Sequence, residues 1–324
     1  MQKYLITGYA GCVGYHFINY LNNISKEKVL VLGIDLNEPA DFSEWKFDNL
    51  ELIHKSINLL DFNTVFDIVS EFKPTHILHL AALSSVGKSW KAPAECFSNN
   101  TGIFLNLCEA IRIASISCRI LCVGSSEEYG FIEEKQLPLK EEMKIIPSNP
   151  YAVTKLAQES MSYVYSSGFN MDIICTRSFN HIGPRQRDVF VVASFAKQIA
   201  QAAIEGKTNF DMMTGNLNVV RDFLDVRDVV KAYYLLLQKG KPGETYNVCS
   251  GEGVPLNIII KELADISGIK IITKTNPDLV RPNDIPKIIG NNQKLVNNTD
   301  WKRDYTLHNT LNDTYNYWKE LLSR

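Results

Sequence analysis

Tyr151 and Lys155 stand four residues apart in the run Asn149-Pro150-Tyr151-Ala152-Val153-Thr154-Lys155. On a helix that spacing puts both side chains on one face. An ammonium beside a phenol favours the phenolate, so the lysine is expected to lower the tyrosine pKa. A phenol tuned in this way passes a proton to or from a sugar hydroxyl or ketone near neutral pH. An amphipathic helix with an exposed lysine would show the same pair, so the pair alone does not define a site.

The first residues supply a second feature. Lys3-Tyr4-Leu5-Ile6-Thr7 reads as a short buried strand, and Gly8-Tyr9-Ala10-Gly11-Cys12-Val13-Gly14 follows it. A helical pattern then places Phe17, Ile18 and Leu21 on one face. In such a strand–turn–helix unit the first glycine permits the tight turn, the second admits a pyrophosphate, and the third lets helix pack on strand. The helix N-terminus offers free N–H groups and a positive dipole end to phosphate. A second apolar run, Val29 to Ile34, ends at Asp35-Leu36. An acidic residue about 20 positions past the glycines suits ribose hydroxyls and repels a 2′-phosphate. NAD(H) is therefore expected over NADP(H). A turn-forming aspartate at a strand end is the plainer reading of Asp35.

Thr-Gly-x-x-Gly-x-x-Gly together with Tyr-x-x-x-Lys resembles the extended short-chain dehydrogenase/reductases, and the resemblance spans nearly the whole chain. Further segments fit it. His79-Leu80-Ala81-Ala82 is similar to the family's segment under the cofactor, and Asn100 to its supporting asparagine. Val123-Gly124-Ser125-Ser126-Glu127-Glu128-Tyr129 resembles the strand end carrying the catalytic serine or threonine, which implies Ser125 as the third catalytic residue beside Tyr151 and Lys155. A serine capping the turn after a strand would look the same. Asn58 and Leu59 fall at the adenine end, where the family commonly has an aspartate. Cys12 stands where an aromatic residue is more usual, and Asn100-Thr101-Gly102-Ile103 departs from Asn-Val-x-Gly.

The resemblance places the substrate in the C-terminal part. Phe179-Asn180-His181-Ile182-Gly183-Pro184-Arg185, Phe190-Val191 through Lys197, Arg221-Asp222-Phe223-Leu224 and Arg281-Pro282 match segments that hold a nucleoside diphosphate in members acting on nucleotide sugars. By that match Asn180, Arg221 and Arg281 are diphosphate contacts, since arginine grips two phosphate oxygens at once. Arg185, Lys197 and Val191 fall toward the guanine and ribose, and Ser84, Ser85 and Ser126 toward the sugar. For any single arginine a surface ion pair is the bland alternative. These segments are similar to GDP-mannose-type enzymes, especially the GDP-4-keto-6-deoxy-mannose reductases that form GDP-rhamnose and the GDP-mannose 4,6-dehydratases. They imply chemistry at C4 of a GDP-linked manno-configured sugar, with a GDP-heptose among the possible substrates. Glu127 occupies the position of the dehydratase base. Reduction, C4 dehydrogenation, 4,6-dehydration and epimerisation all use the same triad. A non-enzymatic cofactor sensor would show a broken triad or glycine loop, and neither is broken here.

The elements that must position these residues alternate. Strands are expected at 2–6, 28–34, 51–57, 75–80, 119–124, 172–177 and 244–249, with helices between most of them. This pattern predicts a doubly wound α/β fold: a parallel Rossmann-type sheet plus a smaller C-terminal α/β substrate domain. The expected division is 1–180 with 222–250 for the dinucleotide and 181–221 with 251–324 for the nucleotide sugar. The segment 36–50 reads as a polar connection over the adenosine end. Helices around 97–114 and 151–167 carry apolar surface, and in the family such helices pair as a four-helix bundle, so at least a homodimer is expected. In 324 residues, 45% hydrophobic and 22% charged content is that of a globular protein. A net charge of −2 gives no reason to invoke nucleic acid or a membrane surface. Seven scattered cysteines without Cys-x-x-Cys spacing predict reduced core thiols, no metal site and a cytoplasmic protein. The chain opens directly on the first strand, which leaves no room for a signal peptide.

Overall fold

The computed structural model describes residues 2–279 and 285–324. Seven parallel strands form the central sheet: β1 (Lys3–Thr7), β2 (Val29–Asp35), β3 (Leu50–Ser56), β4 (His76–His79), β5 (Arg119–Ser125), β6 (Asp172–Ser178) and, after an excursion, β10 (Thr245–Val248). Their order is β10-β6-β5-β4-β1-β2-β3. The alternation read from the sequence therefore holds, with every expected strand in this sheet and boundaries moved by at most two residues. The order reverses between β1 and β4, and ligands of such sheets bind in the crevice at that point.

Side-chain alternation along each strand feeds two cores. Tyr4 and Ile6 point to one face, under α1 (Cys12–Ile24) and α7 (Val226–Lys239). Leu5, Leu32 and Ile34 point to the other, under α2 (Phe62–Phe72) and α4 (Pro93–Ile113). On that second face α4 also packs against α5 (Pro150–Phe169), which lies on β5 and β6. Phe17, Ile18 and Leu21 are the buried face of α1, as their spacing predicts. Each such side chain contributes about 1.5–3 kcal/mol on full burial.

A second lobe has its own core. Helices α6 (Val191–Ile204), α8 (Leu256–Ser267) and α10 (Leu307–Ser323) pack together and against β8 (Asn209–Thr214). Strand β9 (Val220–Asp225) pairs with three short strands, β7 (Asn180–Ile182), β11 (Gly253–Pro255) and β13 (Lys287–Ile288), while β12 (Lys270–Thr275) runs parallel to β8. The chain is not divided cleanly at 251. Helix α9 (Gln293–Thr299) packs on α7 and β10, and Leu295 and Trp301 belong to the core of the large sheet. A short helix, α3 (Val86–Lys91), completes the set and lies beside α5. Among the described residues, no helix is long and apolar enough to cross a membrane.

The segment after β2 differs from its expected polar character. Phe42, Trp45 and Phe47 pack against the core that includes Tyr9. Trp45 meets Tyr9 and Tyr15 edge-on at 6.0 and 4.8 Å between ring centroids. Aromatic burial thus fixes this connection onto the glycine turn and α1.

The glycine turn owes its form to steric limits. Gly8 has φ +70°, and a Cβ there would lie 2.8 Å from the backbone nitrogen of Ala81. At Gly14 a Cβ would lie 2.3 Å from the carbonyl oxygen of Tyr9. Gly14→Ala should therefore force α1 off the strand end and destabilise the protein by about 3 kcal/mol, within the range for overpacking. Thermal and urea unfolding measure this, and an unchanged midpoint would contradict the close packing at Gly14.

Candidate active site

Ser125 ends β5 and caps the following turn, its Oγ accepting from the Glu127 N–H at 3.3 Å. The capping role and the expected catalytic role are compatible, because the hydroxyl's own O–H remains available to donate. Its backbone N–H donates to Glu128 Oε1 at 2.7 Å, which fixes the strand end from beneath. Asn149 starts α5 by accepting from the Ala152 N–H at 2.9 Å, and Pro150 follows in the first helical turn. The side-chain amide of Asn149 donates to Glu127 Oε2 at 2.8 Å. One asparagine thus sets both the entry of α5 and the direction of Glu127.

Tyr151 and Lys155 are both buried on the face of α5 turned to β5. The Lys155 ammonium lies 5.9 Å from the centre of the Tyr151 ring. It donates to the Val123 carbonyl at 2.7 Å and to Gln158 Oε1 at 3.0 Å. Burial lowers the lysine pKa, while Cys122, Glu128, Cys96 and Cys175 act in the opposite sense. The tyrosine departs from the expected behaviour. Burial pushes its pKa well up, and the nearby acidic groups Glu128 and Glu127 act in the same sense, against a hydrogen-bond contribution from Ser125 that favours phenolate. Desolvation is the largest contribution and runs against the lowering expected from the lysine, so the group is a phenol at neutral pH, as an ordinary tyrosine is.

Asn100 is wholly buried in α4 and joins these parts. Its side chain accepts from the Leu83 N–H at 2.8 Å and donates to Thr154 Oγ1 at 3.0 Å. Thr154 in turn donates to the Tyr151 carbonyl at 2.7 Å. Residues Leu80, Ala81 and Ala82 run from β4 toward this brace, and the Leu80 and Ala81 N–H groups donate to the Thr7 carbonyl and hydroxyl at 3.1 and 3.3 Å. The floor is therefore continuous from the glycine turn to α5.

The glycine turn fits a dinucleotide pyrophosphate. A Cβ at Gly11 would meet only the Gly8 carbonyl oxygen, at 3.3 Å, so this flank of the turn is open where those at Gly8 and Gly14 are filled. Gly11 also provides no side-chain cap for α1, which leaves the first-turn N–H groups of Cys12, Val13 and Gly14 to an anion. Asp35 ends β2 beside the turn and accepts from the Ala10 and Leu36 N–H groups at 3.2 and 2.8 Å. Its carboxylate has further lone pairs for ribose hydroxyls. Leu36 is exposed next to it. Asn58 is exposed with its side-chain oxygen turned to the Leu60 N–H at 3.0 Å, and Leu59 is buried.

The residues matched to the sugar nucleotide are less uniformly convergent. Ser84 is half-buried, Ser85 caps α3 by accepting from the Lys88 N–H at 3.3 Å, and Ser126 is buried in the turn after Ser125. Asn180 is exposed at the start of β7, and Val191 opens α6. Arg221 lies on β9 and donates to the Val220 and Ile285 carbonyls at 3.0 and 2.8 Å. Arg185 and Lys197 are engaged elsewhere. The Arg185 guanidinium lies 3.9 Å from the centre of the Tyr15 ring and pairs with Asp41 at 2.7 Å, which latches the 36–50 connection to the second lobe. Lys197 pairs with Asp188 at 2.7 Å and lies 5.3 Å from the centre of the Trp318 ring on α10. Arg281 falls outside the described residues. Among the described residues, no three His, Cys, Asp or Glu side chains are placed to hold a metal ion.

Three functional neighbours escaped the sequence reading. Glu128 is fully buried beneath Ser125, Asn149 orients Glu127, and Gln158 holds Lys155. Gln158 had a signal, since 151, 155 and 158 form one i, i+4, i+7 stripe. Glu128 had none, because a glutamate in a turn normally faces water.

Comparison with known proteins agrees with this architecture. The family of GDP-mannose 4,6 dehydratase matches residues 5–314. A GDP-6-deoxy-D-mannose reductase of Pseudomonas aeruginosa is 33% identical over 318 residues, covering 98% of this chain and 97% of its own. A GDP-6-deoxy-D-talose 4-dehydrogenase of Aggregatibacter actinomycetemcomitans is 30% identical, covering 91% and 90%. The structure of RMD from Pseudomonas aeruginosa complexed with NADPH superposes with a TM-score of 0.84 at 31% identity, covering 99% and 98%. The chain belongs to the GDP-mannose 4,6-dehydratase family, among the extended short-chain dehydrogenase/reductases that act on nucleotide sugars.

Tyr151→Phe should leave the fold intact and lower turnover by at least ~100-fold, the loss expected for general acid–base help. In the cofactor-free protein, the ultraviolet difference titration between the parent and this variant should show no phenolate step below about pH 10. A step near neutrality would restore the lysine-lowered tyrosine.

Proposed function

We propose that this chain is an NAD(H)-dependent oxidoreductase acting at C4 of a GDP-linked manno-configured sugar, and that it reduces GDP-4-keto-6-deoxy-mannose. The observation that carries this reading is the convergence of Ser125 at the end of β5 with Tyr151 and Lys155 on the buried face of α5, the ammonium lying 5.9 Å from the ring centre. A tyrosine carries its proton at neutral pH and can give it to a ketone oxygen when a cation is placed to stabilise the phenolate. A dinucleotide held at the Gly8–Gly14 turn and Asp35 would supply the hydride for C4. Tyr151 gives its proton to the C4 oxygen, and Ser125 donates a hydrogen bond to the same oxygen as charge develops there. Lys155, positively charged beneath the ring, stabilises the phenolate left behind. The names of the reductase and 4-dehydrogenase relatives support C4 redox chemistry on a GDP-6-deoxy-sugar.

In this reading Ser84, Ser85 and Ser126 face the sugar, and Asn180, Val191 and Arg221 line the GDP from the second lobe; Arg281, outside the described residues, is assigned to the diphosphate by the sequence match alone. Arg185 and Lys197 act at one remove, by holding the segments around them. A GDP-heptose with the same C4 configuration would meet the same groups.

A second reading rests on Glu127. Its carboxylate is half-buried and directed by Asn149, a geometry that would also serve a base removing the C5 proton in a 4,6-dehydration. Mass spectrometry of GDP-sugars incubated with NADH or NAD separates the two. Reduction of the 4-keto sugar, with a gain of ~2 Da and loss of NADH absorbance, is the expected outcome, the mass change being that of one hydride and one proton. Loss of one water from GDP-mannose would show dehydration instead. No change with any GDP-sugar would refute both.

The preference for NAD(H) rests on charge. Asp35 ends β2 and Glu38 follows three residues later, and both act electrostatically on the Tyr9 phenol. A 2′-phosphate there would meet like charge. Asp35→Ala should raise kcat/KM with NADPH relative to NADH by about tenfold, one close charge contact being worth about 1.4 kcal/mol. A parent enzyme that already prefers NADPH would remove the basis of this preference.

Association follows from α4 and α5. Phe97, Leu105 and Ile113 on α4, with Val153, Tyr163 and Val164 on α5, are exposed apolar side chains on packed neighbouring helices. They support a homodimer built on these helices. Sedimentation equilibrium should give twice the chain mass, and Leu105→Glu with Val164→Glu should give one chain mass. A monomeric parent would exclude the arrangement. The free thiols suit a reducing, cytoplasmic setting.

A further inference from the structure

The buried ammonium of Lys155 raises a question of orientation, because a lysine side chain has four flexible carbons and three donors to satisfy. Two acceptors are in place, the Val123 carbonyl at 2.7 Å and Gln158 Oε1 at 3.0 Å. Gln158 is itself wholly buried, and its Nε2 donates to the backbone carbonyl of Asn100 at 2.7 Å. The direction of this amide admits no ambiguity. The Asn100 carbonyl can only accept and the ammonium can only donate, so the nitrogen faces α4 and the oxygen faces Lys155.

We propose that Gln158 is a positioning residue for Lys155, a direct bridge from the Asn100 carbonyl that fixes the ammonium beneath Tyr151. This rests on the catalytic reading of Lys155 given above. Without the bridge the ammonium keeps one protein acceptor in a buried setting and its charged form is disfavoured. The other groups facing it are Cys122 of β5, Glu128 of the turn after β5, Cys96 of α4 and Cys175 of β6. His79 of β4 and Tyr151 of α5 also face it. None of these supplies a second oriented acceptor.

The test compares Gln158→Leu, which keeps the volume and removes both polar groups, with Gln158→Glu, which keeps an acceptor toward the lysine. Nitrogen NMR of labelled lysine, with Lys155 assigned by its loss in Lys155→Met, follows the titration without any substrate. Gln158→Leu should lower the Lys155 pKa by about one unit, as loss of an acceptor for the charged form requires. The alkaline limb of kcat should then move to lower pH, and kcat at neutral pH should fall about tenfold with KM for the sugar nucleotide within about twofold. Gln158→Glu keeps an acceptor toward the lysine but loses the N–H that the Asn100 carbonyl accepts, so it should leave the titration in place or move it up. The proposal is overturned if Gln158→Leu leaves the titration unmoved, or if Gln158→Glu lowers it equally. If the parent does not reduce a 4-keto sugar, the function above falls while the titration still decides the role of Gln158.

Discussion

The structure depends on keeping one ammonium charged in a buried position. Lys155 sits between α5 and β5, where desolvation opposes its charge. A buried cation persists only with acceptors held at the correct distance. Two elements supply them here: β5 through the Val123 carbonyl, and α5 itself through Gln158, whose far end is anchored on α4. The close packing of α4 on α5 is therefore more than apolar burial. The same asparagine that anchors Gln158 through its backbone braces Leu83 and Thr154 through its side chain. A shift of α4 would move the cofactor floor and the lysine together.

Beneath the site lies a second charged layer with the opposite sign of consequence. Glu128 is fully buried, and burial followed by the neighbouring charge of Glu159 drives its pKa upward. Arg177, itself buried, holds Glu159 through two hydrogen bonds of 3.0 and 2.6 Å. Removing one partner of such a pair would cost about 3–5 kcal/mol, because the other charge remains in the interior. The arrangement places a carboxyl group under the Ser125 backbone, with Oε1 accepting from the Ser125 N–H and Oε2 buried without a hydrogen-bond partner among the described residues.

Much of this was legible in the sequence, for reasons that differ by element. Short apolar runs such as Val29–Ile34, rich in β-branched residues and bounded by turns, read as buried strands, and their alternation with helices pointed to the parallel sheet. Glycines at 8, 11 and 14 encode backbone approach, which is local. The Tyr151–Lys155 pair encodes a helix face, which is also local. What the sequence did not reveal lies between elements distant along the chain. Arg185 is drawn to Tyr15 and Asp41, more than 140 positions earlier, and no local pattern announces that clasp. The return of Leu295 and Trp301 to the large core is likewise a matter of tertiary packing. The tyrosine pKa was misread because the lysine is adjacent in pattern, whereas Glu128 and the depth of burial are known only in three dimensions.

That last difference bears on what the site must overcome. A phenol is protonated at neutral pH without any help. Burial raises the Tyr151 pKa further, which makes the phenol a weaker acid and its phenolate harder to form. A proton carrier works best with a pKa near the operating pH, so the interior opposes proton transfer at this tyrosine. The ammonium of Lys155, 5.9 Å from the ring centre, is the positive charge placed to offset that cost. The same offset serves oxidation and reduction alike, because both directions pass through the same phenolate. The hydrogen bonds that hold Lys155 to Val123 and Gln158 therefore bear on the rate of proton transfer and not on its direction.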